Sequence, residues 1–355
     1  MRQYMVAAFL VFASHKSAGA PDTLRVPDFP SVAAAIERGE VPDTKSVLVM
    51  RGGEIVYEAY FGGADAETLH NTRSAGKSIT SLAVGIAIGR GLVPAVDAKV
   101  FPYLSDLAPF AHGGALKDAI TFEDFLTMSS ALDCNDDDEK SPGNEEKLYP
   151  LDNWSRFAVD IPVKADYQRD ASGHGPWFYC TAGVFLLGQA VQRAAKQPID
   201  EFIAEHLFRP LGISRWEFFR SKLGEVFTGG GLNLRTRDWA AIAEMVRMGG
   251  VYQGKQVVPR EFVHDALSIH RRAYEDPPAD YGYLFWRFTY HTPCGDFGGW
   301  SMSGNGGNRV TIIEKLDTVI VVTRTHFGKP GMHQQTQSLI EKYILPELAC
   351  AAEPS

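Results

Sequence analysis

Ser74 and Lys77 stand three residues apart in the stretch Thr72-Arg-Ser-Ala-Gly-Lys-Ser-Ile-Thr-Ser-Leu-Ala-Val-Gly-Ile-Ala-Ile-Gly-Arg90. On a helix, residues at i and i+3 share a face. An amine placed there can take the proton of a hydroxyl and turn it into a nucleophile. A lysine just ahead of a long apolar run is expected to lose solvent, which lowers its pKa and makes it a better base at neutral pH. The helix N-terminus also favours negative charge developing on Ser74. Ser-x-x-Lys alone is a common pattern, and a helix-start serine beside an exposed lysine is the plain alternative. Gly76-Lys77-Ser78 resembles the tail of a phosphate-binding loop, but that loop needs glycine at position 71, which is Asn71.

Two further segments can complete such a site. Phe178-Tyr179-Cys180-Thr181-Ala182-Gly183 precedes a helical pattern and follows the loop Ser172-Gly-His-Gly-Pro176. Tyr179 is either a packing residue or a phenol near Lys77. In the second case the ammonium would lower its pKa, and the pair would share one proton. Ser301-Met-Ser-Gly-Asn-Gly-Gly-Asn308 leads into the strand pattern Arg309–Ile313. It is either a simple turn or a place where glycines let a backbone N–H, paired with that of Ser74, cradle an acyl oxyanion.

The elements that must position these residues are legible in outline. Val47–Met50 and Ile55–Phe61 flank Gly-Gly and predict a hairpin. The helix after Lys77 is apolar nearly all round, with small residues for close packing, and stops near Gly91 and Pro94. Thr121 with Asp124 opens a capping box. Helices are expected over 184–195, 199–208, 238–248 and 334–348, and strands over 283–289, 309–313 and 319–325. Strands at both chain ends with helices between predict one sheet built from the two ends and an inserted helical lobe. The expected division is residues 21–75 with 225–355 for the α/β sheet lobe and 76–224 for the helical lobe.

Composition narrows the function. The chain has 355 residues, 45% hydrophobic, with a formal net charge of -8. No long basic run marks a nucleic-acid surface. Arg2, the apolar run Met5–Ala13 and Ala18-Gly-Ala20 fit a signal peptide over 1–20, and a periplasmic or secreted location is expected. No later run is long enough to span a membrane. Cys134, Cys180, Cys294 and Cys350 lack metal-site spacing; they are either free thiols or include one disulfide, with Cys134–Cys180 the first choice. Asp133-Cys-Asn-Asp-Asp137 copies the start of a calcium loop but lacks its glycine and glutamate, and a solvated acidic loop is the better reading. No metal or organic cofactor is expected.

Taken in order, the three segments resemble the serine β-lactamase and penicillin-binding-protein superfamily, nearest its class C-like esterase and 6-aminohexanoate-dimer-hydrolase branch. Leu126-Thr-Met-Ser-Ser-Ala-Leu132, Phe208-Arg-Pro-Leu-Gly-Ile213, Gly229-Gly-Gly-Leu-Asn-Leu-Arg-Thr-Arg-Asp238 and Tyr281-Gly-Tyr-Leu-Phe-Trp286 add to the likeness. The resemblance implies a mainly antiparallel sheet flanked by helices with an all-helical lobe. It implies Ser74 as nucleophile, Lys77 and Tyr179 as the proton-transfer pair, and the backbone N–H groups of Ser74 and Asn305 as the oxyanion cradle. Met302 and Thr181 depart from the lysine or histidine and the asparagine of the β-lactamase pattern. Both changes favour an ester, or a non-peptide amide, over a β-lactam. Trp300, Trp177, His174, Gly304 and Gly306 are the candidate substrate contacts. An esterase leads, an amidase or peptidase follows, and a catalytically silent muropeptide binder or scaffold is the third reading; oligomeric state is open.

Overall fold

The computed structural model describes residues 29–350; the expected signal peptide over 1–20 lies outside them. The main helices are α1 (Pro30–Glu37), α2 (Lys77–Gly89), α3 (Phe122–Leu126), α4 (Thr181–Ala195), α5 (Thr236–Arg247) and α6 (Met332–Leu339). The strands of the principal sheet are β1 (Thr44–Arg51), β2 (Glu54–Tyr60), β3 (Arg271–Glu275), β4 (Pro278–Tyr281), β5 (Trp286–Thr292), β6 (Gly295–Gly304), β7 (Asn308–Ile313) and β8 (Thr318–Arg324).

These eight strands form one sheet in the order β2-β1-β8-β7-β6-β5-β4-β3. Every adjacent pair is antiparallel. The first and last strands of the sheet in chain order meet where β1 pairs with β8, Leu48 opposite Val321. Alternation sends neighbours to opposite faces. Leu48, Val319 and Val321 enter the larger core with α2, α4 and α5, whereas Val47, Val49, Ile320 and Val322 enter a smaller core with Phe29 and Leu339. Both faces are therefore covered.

Local chemistry explains the elements that carry the site. The β1–β2 turn places Gly52 and Gly53 at φ 58° and 86°, the left-handed geometry that suits a tight hairpin. The α2 helix buries every residue from Lys77 to Ala87. Gly85 belongs there because a Cβ would lie 2.4 Å from the Phe262 ring. The Thr121–Asp124 capping box forms as expected at the start of α3. Trp286–Thr292 is displaced toward the C-terminus from the expected strand; Leu284, at φ 60°, breaks the run instead.

Candidate active site

Ser74 lies in a 3-10 turn, Arg73–Gly76, that feeds directly into α2. Backbone packs against backbone on two sides of this turn. A Cβ on Gly76 would sit 3.3 Å from the Cα of Gly230. A Cβ on Gly304, at the end of β6, would sit 1.9 Å from the Thr72 carbonyl oxygen and 3.0 Å from the amide nitrogens of Ser74 and Ala75. Glycine is the residue that lets the end of β6 touch the serine turn. Asn305 follows at the hairpin tip; its carbonyl accepts from Asn308 at 2.7 Å and its side chain accepts from the Gly328 N–H at 2.8 Å.

Lys77 begins α2 and is 1% exposed. Its Nζ lies 3.0 Å from Ser74 Oγ and donates to the Gly229 carbonyl at 2.6 Å. Burial pushes the amine pKa down from its usual 10.5, while the carboxylates of Glu145 and Asp136 pull it back up; burial wins. The neutral amine is thereby made accessible, beside a hydroxyl whose proton it can accept.

Tyr179 approaches from another segment. A Cys134–Cys180 disulfide, a hydrogen bond from Phe178 N–H to the Met128 carbonyl and one from Asp136 N–H to the Tyr179 carbonyl, both 2.8 Å, hold its backbone. Lys77 Nζ sits 4.9 Å from the centre of its ring. Trp286 stacks on it at 5.8 Å, and Trp177 lies at 6.1 Å. Burial raises the Tyr179 pKa and a side-chain hydrogen bond with Ser74 lowers it; Glu145, Asp136 and Asp137 add to the rise. The expected lowering by an ammonium is thus corrected. The neighbouring amine is itself driven toward neutrality, and three carboxylates oppose a phenolate. Burial favours the neutral form of both groups, which suits Lys77 to accept a proton and Tyr179 to give one.

The acidic loop backs this site. Asp136 accepts the N–H of Glu145 at 2.9 Å and of Thr181 at 2.7 Å through its two oxygens. Burial, then the neighbouring Glu145, pushes its carboxyl up to about 6. The Asn144 amide donates to the carbonyls of Asp136 and Asp138. The loop is therefore tied by its own hydrogen bonds, and it anchors the start of α4.

The structure brings Ser74, Lys77 and Tyr179 together, with Gly304 against the serine turn. Trp177 joins Tyr274, Tyr281 and Trp286 in an aromatic wall beside Tyr179. Trp300 is a correction: it is 4% exposed, fills the larger core and carries Arg287 over its ring at 5.2 Å. Its strand alternation points it inward with Met302 rather than toward a substrate. Gly306 is buried, its N–H faces Met332 Sδ at 3.1 Å, and a Cβ there would meet the Phe327 ring at 2.7 Å. His174 faces Glu123 and His270. The Gly229 carbonyl, Trp286 and Asp136 were not singled out as site residues by sequence. Gly229 and Trp286 lie within the resemblance phrases, but nothing local announces a backbone acceptor or a stacking partner. The cysteine alternatives also resolve: Cys134–Cys180 and Cys294–Cys350 are both disulfides.

Comparison with known proteins bears on the family and the fold. A family described as Beta-lactamase matches residues 32–342. A 6-aminohexanoate-dimer hydrolase of Paenarthrobacter ureafaciens is 26% identical over 294 residues, covering 80% of this chain and 73% of the relative. Among solved structures, a Bacillus anthracis chain provisionally described as a 6-aminohexanoate-dimer hydrolase superposes with a TM-score of 0.73 at 16% identity, over 90% of this chain and 83% of its own. A family VIII carboxylesterase gives 0.63 at 16% identity, over 90% and 97%. The chain belongs to the Beta-lactamase family and is a serine hydrolase of the β-lactamase fold.

Proposed function

We propose that the protein hydrolyses carboxylic esters through an acyl-enzyme on Ser74. Lys77 takes the hydroxyl proton as Ser74 Oγ attacks the carbonyl carbon. The Ser74 and Asn305 N–H groups hold the oxyanion, and the leaving alkoxide receives its proton through the Lys77/Tyr179 pair. Water then attacks the acyl carbon with the same pair as base, and Ser74 departs with the proton returned. The observation that carries this reading is the 3.0 Å contact between Ser74 Oγ and a buried amine whose pKa is held down.

The departures from the β-lactamase pattern support an ester. Met302 is 1% exposed and packs in the core, so its position supplies no cation for a substrate carboxylate. Thr181 is fully buried, with its hydroxyl unpartnered, and offers no side-chain amide to the cleft. A linear amide is the second reading. A neutral Tyr179 phenol can protonate a leaving amine, and the curated relative is named for the hydrolysis of an amino-acid dimer.

Comparing kcat/KM for p-nitrophenyl acetate, nitrocefin and a linear 6-aminohexanoate oligomer tests the assignment. Preference for the ester supports it, preference for the oligomer moves it to the amide, and preference for nitrocefin overturns both. The two disulfides support export to an oxidising compartment. Among the described residues no helix is long and apolar enough to cross a membrane.

A further inference from the structure

We propose that Glu123, His174 and His270 form a binding site for a zinc-type divalent transition-metal ion, revising the sequence-based expectation of no metal. The three residues lie on different segments: α3, the loop that leads to Tyr179, and the residue just before β3. One ring nitrogen of each histidine and one carboxylate oxygen of Glu123 lie within 4.8 Å of one another. Their separation in the chain hides the cluster from any spacing motif.

The neighbours of each residue prepare it as a ligand. Ser172 donates its hydroxyl proton to Asp170, so its oxygen is left to accept from His174 Nδ1 at 3.1 Å. That fixes the proton on Nδ1 and leaves a lone pair on Nε2. This Nε2 is buried, has no hydrogen-bond partner and lies 3.9 Å from Glu123 Oε1. His270 donates its Nε2–H to the Asp265 carbonyl at 2.9 Å, which leaves the lone pair on Nδ1. Its ring stacks on Tyr283 at 4.3 Å and 10°. The same Tyr283 donates its hydroxyl proton to Glu123 Oε1 at 2.7 Å. Metal-binding imidazoles characteristically hold their second nitrogen in this way, and ligating carboxylates are themselves hydrogen-bonded.

Charge and donor type agree. Glu123 supplies one negative charge, and the nearby guanidinium groups of Arg169 and Arg271 are paired with Asp124 and Asp170. Two imidazoles and a carboxylate suit zinc, nickel or copper rather than calcium or magnesium. Zinc bonds of about 2.0–2.2 Å place tetrahedral donors roughly 3.4 Å apart, so the three donors must draw in by about an ångström; water completes the shell. The bound ion ties α3 to the Tyr179 loop and to β3, whose Tyr274 packs on Trp177.

Calorimetric titration of the full chain with zinc chloride tests this, read with EDTA competition and with calcium chloride as a control. One zinc per chain, no calcium uptake, and loss of zinc binding in both His174→Ala and His270→Ala are expected. Ser172→Ala, an exposed change that leaves the ligands in place, should weaken binding about tenfold. Absence of saturable zinc uptake overturns the proposal, as does uptake that survives both histidine substitutions. Where a histidine variant fails to fold, Ser172→Ala decides: weaker binding supports the site and unchanged binding overturns it.

Discussion

Replacing Gly304 by alanine separates a mechanism that needs the end of β6 against the serine turn from one that does not. The new Cβ would lie 1.9 Å from the Thr72 carbonyl oxygen. An ordinary carbon–oxygen contact is about 3.3–3.6 Å, so the end of β6 and the serine turn must part by roughly 1.5 Å. Neither side can yield locally. β6 is laddered between β5 and β7, and the turn is packed on Gly230. The displacement moves the Asn305 N–H away from that of Ser74. Loss of one oxyanion donor costs about 10²–10³ in kcat, or roughly 3–4 kcal/mol. The assay is kcat on p-nitrophenyl acetate, with thermal unfolding to establish that the variant is folded. Gly298→Ala in the same strand is the control, because its Cβ meets chiefly the movable Arg287 guanidinium, 2.3 Å away. A folded Gly304→Ala enzyme with wild-type kcat would refute the assignment of the oxyanion cradle to this end of β6.

Lys77→Arg fixes a positive charge at this position and removes the base, since guanidinium does not deprotonate in proteins. It should lower kcat/KM by about 10²–10⁴. In the wild type the active form is the neutral amine, so activity should rise with pH through an inflection below the ordinary 10.5 of lysine. A pH–rate profile checks this: a wild-type rise centred at or above 10.5, or an unchanged rise in Lys77→Arg, would remove Lys77 as base. The Cys134–Cys180 disulfide closes a separation of 46 residues. Replacing both cysteines by serine should cost about 4 kcal/mol on the loop-entropy account, seen as a lower Tm, and should also reduce kcat by loosening Tyr179. An unchanged Tm with full activity would contradict that anchoring role.

How much of this could be read in advance depended on whether the signal was local. Ser74 and Lys77 were legible because one helical turn joins them. The β1–β2 hairpin was legible because Gly52 and Gly53 mark its turn. Tyr179 needed the family resemblance, since the loop before it has no periodic pattern. β3 and β4 were not foreseen: Arg-Arg-Ala-Tyr-Glu followed by Asp-Pro-Pro reads as a charged, proline-broken loop, which is the character of an exposed sheet edge. The glycines of β6 obscured its length for a related reason, because they serve close contacts such as Gly304 on the serine turn. The aromatic wall joins Trp177 to Tyr274 and Trp286 across the fold, and only tertiary packing could reveal it. Trp300 looked like a cleft residue beside glycines, yet strand alternation buries it. The rise of the Tyr179 pKa followed from burial and acidic neighbours that lie outside its own motif.

Covalent labelling most directly tests the claim that Ser74 is the nucleophile. The full chain is treated with a fluorophosphonate, its intact mass measured and the modified peptide mapped, beside Ser74→Ala. One adduct per chain on Ser74, none in the variant, and a fall in ester turnover of about three orders of magnitude or more are predicted. An adduct on another residue, or equal labelling and turnover in Ser74→Ala, would contradict the account.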